Sequence, residues 1–276
     1  MKERTKVGLW VSLILGIYGL VGSFAVFIHH WKEMYDLKID RLDETFVVEY
    51  IIPGLHDLSV IGSALMIVAA YLFAINYKYA WHLAIAGNIL AIQGTAFPVV
   101  PTLSAGGFPD YIFLFIPNMV AFYLYIAYIR KLSGKAIAVA TVVGMIYVLT
   151  LFNGIASASR TVLMGGIEGN TAMFVASQQI NWIGVVGWYA FLLAILYQKK
   201  WAVPVGIFAS SLTIMAGLPI ALKSTIESGV FSMFLLAPLT AIIILVYILS
   251  PSGKRFFSGL AQNNQYEVPK EKSLNI

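Results

Sequence analysis

Residues 7–28, VGLWVSLILGIYGLVGSFAVFI, carry no charged side chain. A helix needs about 20 apolar residues to cross the hydrocarbon core of a bilayer, so this stretch is long enough for one span. It follows the basic start MKERTK, but it is longer than the apolar part of a signal peptide, and no small-x-small cleavage site precedes the charged loop. We therefore predict that it is a retained transmembrane helix.

The whole chain has the composition of a multi-pass membrane protein. Of its 276 residues, 59% are hydrophobic and 11% are charged, and the mean hydropathy is +0.82, whereas about 25% of the residues of a soluble domain are charged. Cysteine is absent, which excludes disulfides, thiolate metal ligands, iron–sulfur clusters and cysteine nucleophiles. We predict an all-α integral membrane protein with eight transmembrane helices, at approximately 7–28, 50–75, 80–100, 111–130, 136–155, 173–197, 201–222 and 229–250.

Lysine and arginine predict the orientation of these helices. With the N-terminus in the cytoplasm, 13 of the 18 basic residues fall on the cytoplasmic side, in agreement with the positive-inside rule. We predict that both termini are cytoplasmic and that the protein lies in the cell membrane. Residues 251–276 are polar and are expected to be a disordered tail. The net charge of +5 is thus attributed to orientation and not to binding of nucleic acid.

An internal repeat relates two halves of the chain. A shift of 121 residues aligns 78–130 with 199–251 without a gap. It brings together three pairs of residues that lie in apolar surroundings: Pro98 with Pro219, Phe113 with Phe234, and Pro117 with Pro238. An even number of spans in each half makes the repeats parallel. We predict two parallel four-helix repeats, residues 1–131 and 132–250.

Polar side chains within the spans concentrate in the predicted outer half of the bilayer. Such groups usually face a cavity, the bundle interior or a partner. On a helical wheel His56, Ser59 and Ser63 share one face, while Asp57 lies about 100° away, so we expect His56 rather than Asp57 to face a site. We predict an outward-facing polar pocket whose ligand-binding residues are His56, Asp57, Ser59, Gln93, Thr95, Asn118, Gln178 and Asn181.

The histidines suggest a cofactor site on the same side. His30 ends the first span and His56 begins the second. Imidazoles from different helices are ligands for haem b or, with a carboxylate, for a metal ion, so His30 and His56 are the metal candidates. A proton-coupled quinone site at His56 and Asp57 is an alternative, because histidine titrates near neutral pH. Ordinary hydrogen bonds at the membrane interface are the structural alternative.

These features lead to one functional expectation and two alternatives. We expect a membrane subunit or binding protein, for example in electron transport, that holds a quinone, a haem or another small amphipathic ligand. Its expected partners are the lipid bilayer and other membrane subunits. The alternatives are a secondary transporter of a small solute, suggested by the intramembrane prolines, and an intramembrane enzyme that modifies lipids. The sequence contains no phosphate-binding loop, HExxH zinc motif, GxSxG motif or dinucleotide fingerprint.

Overall fold

The protein is helical throughout the residues that the structure, a computed structural model, describes, namely 2–38, 47–163 and 171–262. Three short elements accompany the α-helices: π-helical turns at Val47–Ile51 and Leu124–Ile129, and a 3₁₀ turn at Met233–Leu235. The α-helices in these ranges are α1 (Glu3–Lys38), α2 (Ile52–Ala74), α3 (Ala80–Ala105), α4 (Ile112–Tyr123), α5 (Gly134–Leu163), α6 (Thr171–Leu196), α7 (Ala202–Ser228), α8 (Leu236–Leu249) and α9 (Pro251–Gln262).

Within the described ranges, seven helical segments are long and apolar enough to cross a membrane, one for each of the first seven predicted spans. The described residues are thus helical as predicted, and their long apolar helices indicate a multi-pass membrane protein. The eighth predicted span, 229–250, is shorter than expected. Gly229 ends α7 in a left-handed conformation and Ser232 is extended, so α8 begins only at Leu236, has 14 residues and is about 21 Å long. Met233–Leu249 and Pro251–Leu260 are long enough to cross a membrane only together, and they are bent by 77°.

Helix α9 occupies the beginning of the stretch that the sequence predicted to be a disordered tail. The prediction missed this helix because it relied on the average polarity of the segment, and the apolar residues of the helix lie on one face among polar ones. Phe257 and Leu260 are 5% and 6% exposed, and the Phe257 ring lies 5.9 Å from the ring of Phe191 on α6, whereas Lys254 and Arg255 are exposed. Residues 263–276 lie outside the described residues.

The helices pack as two sets of four. In the first set α1 contacts α2, α2 contacts α3, α3 contacts α4, and α4 returns to α1; α5, α6, α7 and α8 make the same sequence of contacts. The turns before α3 and before α7 also have matching hydrogen bonds. The Tyr77 N–H donates to the Leu72 carbonyl and the Lys199 N–H to the Ala194 carbonyl, both at 2.8 Å. These turns match at a shift of 122 residues rather than 121, and the parallel-repeat organisation itself stays a prediction.

Glycines bring α2 and α3 into backbone contact. A Cβ atom on Gly62 would lie 2.4 Å from the carbonyl oxygen of Gly87, and one on Gly94 would lie 2.4 Å from the carbonyl oxygen of Leu55. The small-residue face of the third span, Ala84, Gly87, Ala91 and Gly94, is therefore the face that meets α2. Small residues at a helix crossing allow this close approach inside a membrane.

A proline in α4 removes a helical hydrogen bond, and α1 replaces it. Pro117 has no N–H to donate to the carbonyl of Phe113 four residues earlier. The Tyr18 hydroxyl on α1 donates to that carbonyl at 2.9 Å. The first and fourth helices of the first set are thus joined where the proline leaves a carbonyl without a helical partner.

The same arrangement recurs in the second set. Pro238 in α8 has no N–H for the carbonyl of Phe234. That carbonyl accepts a hydrogen bond from Nδ2 of Asn153 on α5 at 3.1 Å. Phe234 and Pro238 are the residues that the 121-residue shift pairs with their counterparts in α4.

Basic side chains collect at one end of the helices, which we call the basic end. It includes the connections at 75–79, 130–133 and 197–201, together with α9. The Arg130 guanidinium lies 3.6 Å over the Trp81 ring, and Lys135 lies 5.4 Å from the ring of Phe256 on α9. The opposite end includes the connections at 106–111 and 229–232.

Candidate functional site

A groove of about 320 Å³ opens at the basic end, between the two sets of helices. Its surface is almost entirely apolar, and it is lined by residues of α2, of the start of α3 and of the end of α6: Leu72, Tyr79, His82, Leu83, Ala86 and Tyr197. The groove is open to the surroundings along much of its length, so a ligand that binds there keeps part of its surface outside the protein.

Two tyrosines from the second set hold the wall that α3 contributes. The Tyr197 hydroxyl donates to the backbone carbonyl of His82 at 2.7 Å, and the Tyr197 ring lies 4.5 Å from the imidazole. One turn further along α3, the Tyr189 hydroxyl donates to the carbonyl of Ala86 at 3.3 Å. These hydrogen bonds therefore fix the start of α3 against the end of α6.

Two basic side chains, Arg130 and Lys199, lie near His82. The Trp81 ring lies 3.9 Å from the imidazole of His82, and the Arg130 guanidinium stacks on that indole. Lys199 follows Tyr197 by two residues, is exposed, and lies close enough for its charge to act on His82. A planar guanidinium on an aromatic face is a stable arrangement that keeps its charge near the groove.

His82 supplies the polar group of the groove. Its Nδ1 atom is buried and has no hydrogen-bond partner. An unpaired buried polar atom costs about 1–3 kcal/mol, so a ligand that bonds to Nδ1 after the imidazole turns toward the groove recovers that energy. Burial raises the pKa of Tyr197, so its hydroxyl stays protonated and keeps donating to the His82 carbonyl.

The residues predicted to form an outer pocket lie in several separate contacts. His56 and Ser59 are buried, whereas Asp57, on a different face of the helix, is exposed. The His56 ring stacks on Phe27 at 4.4 Å, and Ser59 Oγ lies 3.0 Å from Ser23 Oγ. Both contacts are with α1.

Gln93 and Thr95 lie on different faces of α3. Thr95 is satisfied within its own helix, because its hydroxyl donates to the Ala91 carbonyl at 2.8 Å. Gln93 is fully buried, and neither its Oε1 nor its Nε2 atom has a hydrogen-bond partner. Phe97, one turn further on, contacts Phe152 of α5 with 5.1 Å between ring centroids, so this face of α3 points toward the second set.

Asn118 pairs with Asn88 in the first set. Nδ2 of Asn88 on α3 donates to Oδ1 of Asn118 on α4 at 3.0 Å, and Nδ2 of Asn118 donates to the Leu114 carbonyl at 2.9 Å. Both side chains are buried. This amide pair joins two neighbouring helices.

Asn181 and Gln178 lie on α6 in the second set. Nδ2 of Asn181 donates to Ser177 Oγ at 3.2 Å, and the Ser177 hydroxyl donates to the Ala216 carbonyl of α7 at 2.8 Å. Gln178 is half-buried. Within the described part of the chain, the eight predicted residues thus belong to different helix contacts, and their ligand-binding role stays a prediction.

The two predicted metal ligands each have their own packing partners. His30 is fully buried, with Nε2 3.2 Å from the Thr102 hydroxyl and its ring 4.8 Å from the ring of Tyr111. His56 packs on Phe27. A shared metal site of these two histidines stays a prediction.

Sequence reasoning did not select the residues of the groove. The feature of the sequence that could have indicated the groove is the segment 77–82, YKYAWH, which combines three aromatic residues, a histidine and a lysine. This composition is typical of the membrane interface. The sequence does not indicate its partner, because Tyr197 follows His82 by 115 residues.

Protein-family profiles, curated proteins and solved structures were compared with this chain, and none of the three comparisons finds a match. The geometry and chemistry of its own residues therefore carry the functional conclusion.

Proposed function

We propose that this protein binds an amphipathic ligand, with the apolar part in the groove at the basic end and a negatively charged head group at the rim. The observation that carries this proposal is His82, which lines a mostly apolar groove and whose Nδ1 atom has no hydrogen-bond partner. The head group accepts a hydrogen bond from His82, and the charges of Arg130 and Lys199 attract it. An anionic phospholipid has this combination of head and tail.

This proposal keeps the expected class of function but changes the place of the site. Several polar residues of the predicted outer pocket are hydrogen-bonded to other side chains or to backbone carbonyls of the bundle, namely Ser59, Thr95, Asn118 and Asn181. The charged rim favours an anionic amphiphile over a neutral quinone. Haem b has less support, since His82 is the single imidazole among the six lining residues.

The orientation and the repeat belong to the same proposal. The basic end is cytoplasmic under the positive-inside rule, which places both termini and α9 on that side of the cell membrane. Residues 1–131 and 132–250 form two parallel four-helix repeats. The matching turns before α3 and α7 support this arrangement. It is also supported by the carbonyls of Phe113 and Phe234, which lack a helical donor because of a proline and accept a hydrogen bond from the first helix of their set instead.

The experiment that tests ligand binding is native mass spectrometry of the full chain with added phosphatidylglycerol. We expect one tightly retained lipid. His82→Ala should weaken its retention at least tenfold, because a hydrogen bond to a charged group contributes about 1.5–3 kcal/mol. Lys199→Ala should weaken it about fivefold, since each basic residue near an anionic head contributes about 1 kcal/mol.

His56→Ala is the matched control, because it removes a buried imidazole at the opposite end of the helices. Retention that is equal in the parent and in His82→Ala would contradict the proposal. A copurified quinone that His82→Ala releases would keep the groove as the site but replace the anionic head group. Secondary transport, lipid modification and a role as a subunit of a larger complex gain no specific support from the contacts described above.

A further inference from the structure

Three metal-ligating side chains converge at the opposite end of the helices, far from the groove. His29 and Glu33 lie one turn apart on α1, so their side chains share a face. Asp110 lies in the connection between α3 and α4. One possible ligand atom from each of the three residues lies within 4.8 Å of the other two.

Hydrogen bonds hold these side chains next to one another. Nδ1 of His29 and Oδ2 of Asp110 are hydrogen-bonded at 2.5 Å, a contact that a cation replaces when it binds both atoms. Oε1 of Glu33 accepts a hydrogen bond from the backbone N–H of Phe108 at 3.3 Å, which orients the carboxylate. Its second oxygen, Oε2, is buried and has no hydrogen-bond partner. A buried carboxylate oxygen requires a donor or a cation, and none of the described protein groups supplies one.

The site is also accessible from outside the protein. The His29 side chain is 71% exposed, whereas that of Asp110 is 15% exposed. A cation can therefore enter from the side of His29 and keep water ligands there, while the carboxylates bind it from the protein side.

We propose that His29, Glu33 and Asp110 bind one divalent transition-metal cation, of which Zn²⁺ is the representative. One imidazole nitrogen and two carboxylate oxygens are ligands that Zn²⁺ and its first-row neighbours accept. Ca²⁺ and Mg²⁺ prefer ligand sets made of oxygen alone, so the imidazole disfavours them. The bound cation connects α1 to the α3–α4 connection.

The test is calorimetric titration of the full chain with Zn²⁺, purified in detergent with a tag that contains no histidine. We expect one saturable site per chain. His29→Ala and Asp110→Asn should each weaken binding at least about tenfold, since even the loss of a group that only supports a ligand typically weakens metal binding by that factor. Asp36→Asn is the matched control, because it removes an exposed carboxylate from the same helix and should leave the affinity unchanged.

A second measurement separates loss of the site from loss of the fold. Zn²⁺ should raise the thermal unfolding midpoint of the parent and of Asp36→Asn, but not that of His29→Gln, which keeps a side chain of similar size. Absence of saturable binding to the parent would overturn the proposal, as would unchanged affinity in both His29→Ala and Asp110→Asn. These results are independent of lipid binding at His82, so either proposal can fail alone.

Discussion

Replacing Tyr18 with phenylalanine should destabilise the protein only as long as Pro117 is present. The Tyr18 hydroxyl donates at 2.9 Å to the carbonyl of Phe113, which has lost its helical donor to the proline. Tyr18→Phe removes one oxygen atom and leaves the ring in place. The carbonyl then has no donor in a segment where lipid offers none.

The expected magnitude follows from the position of the bond. A hydrogen bond contributes about 0.5–1.5 kcal/mol to stability, and side-chain bonds between helices in a membrane average about 0.6 kcal/mol. Tyr18 is 40% exposed, so the bond is not in the most buried part of the bundle. We expect Tyr18→Phe to lower the free energy of unfolding by about 1 kcal/mol.

A double-mutant cycle separates this bond from other effects. In Pro117→Ala the new N–H of residue 117 donates to the Phe113 carbonyl within α4, so the Tyr18 hydroxyl becomes redundant. Tyr18→Phe should then have almost no effect, which gives a coupling energy of about 1 kcal/mol. The free energy of unfolding is measured by SDS titration in mixed micelles, followed by circular dichroism.

Tyr71→Phe on α2 is the control, because Tyr71 is 64% exposed and the same atom is removed. The reasoning is refuted if Tyr18→Phe has the same effect with proline and with alanine at position 117, or if Tyr71→Phe is equally harmful.

Three further predictions concern packing, and the same titration checks them. Gly87→Val should lower the free energy of unfolding by about 1–3 kcal/mol, because a Cβ atom there would lie 2.6 Å from a backbone oxygen of α2. A Cβ atom on Gly54 would have no other atom within 4 Å, so Gly54→Ala should not destabilise the protein. If it lowered the free energy of unfolding as much as Gly87→Val, the close crossing would be contradicted. Gln93→Met should be neutral or stabilising by about 1 kcal/mol, since both amide atoms are buried without partners. A clear loss of stability would instead show that the amide has a partner. Phe257→Ala should lower stability by about 3 kcal/mol, whereas the exposed Ser258→Ala should have no effect, and equal effects would mean that α9 does not pack on the bundle.

Local hydropathy predicted the spans because crossing a bilayer depends on the apolar length of one segment. The same measure missed α9, whose apolar residues lie on one face and are diluted by Lys254 and Arg255. It overestimated the eighth span because the left-handed Gly229 and the extended backbone at Ser232 interrupt the helix, and neither changes the hydropathy of the stretch.

The candidate sites were harder to predict because their residues come from separate helices. The sequence drew attention to His30 and His56, but His29 is the histidine that meets two carboxylates. The spacing of His29 and Glu33, four residues apart on one helix, was visible in the sequence. The position of Asp110 depends on how α3 and α4 are connected, which no local pattern reports.

The glycine contact between α2 and α3 has a consequence for the synthesis of the protein. The two helices are joined by a short connection, 75–79, and their backbones meet at Gly62 and Gly87. A hairpin with this contact buries its closest surfaces without help from any later helix. We therefore expect α2 and α3 to leave the translocon together, as one preassembled unit on which the rest of the first four helices is built.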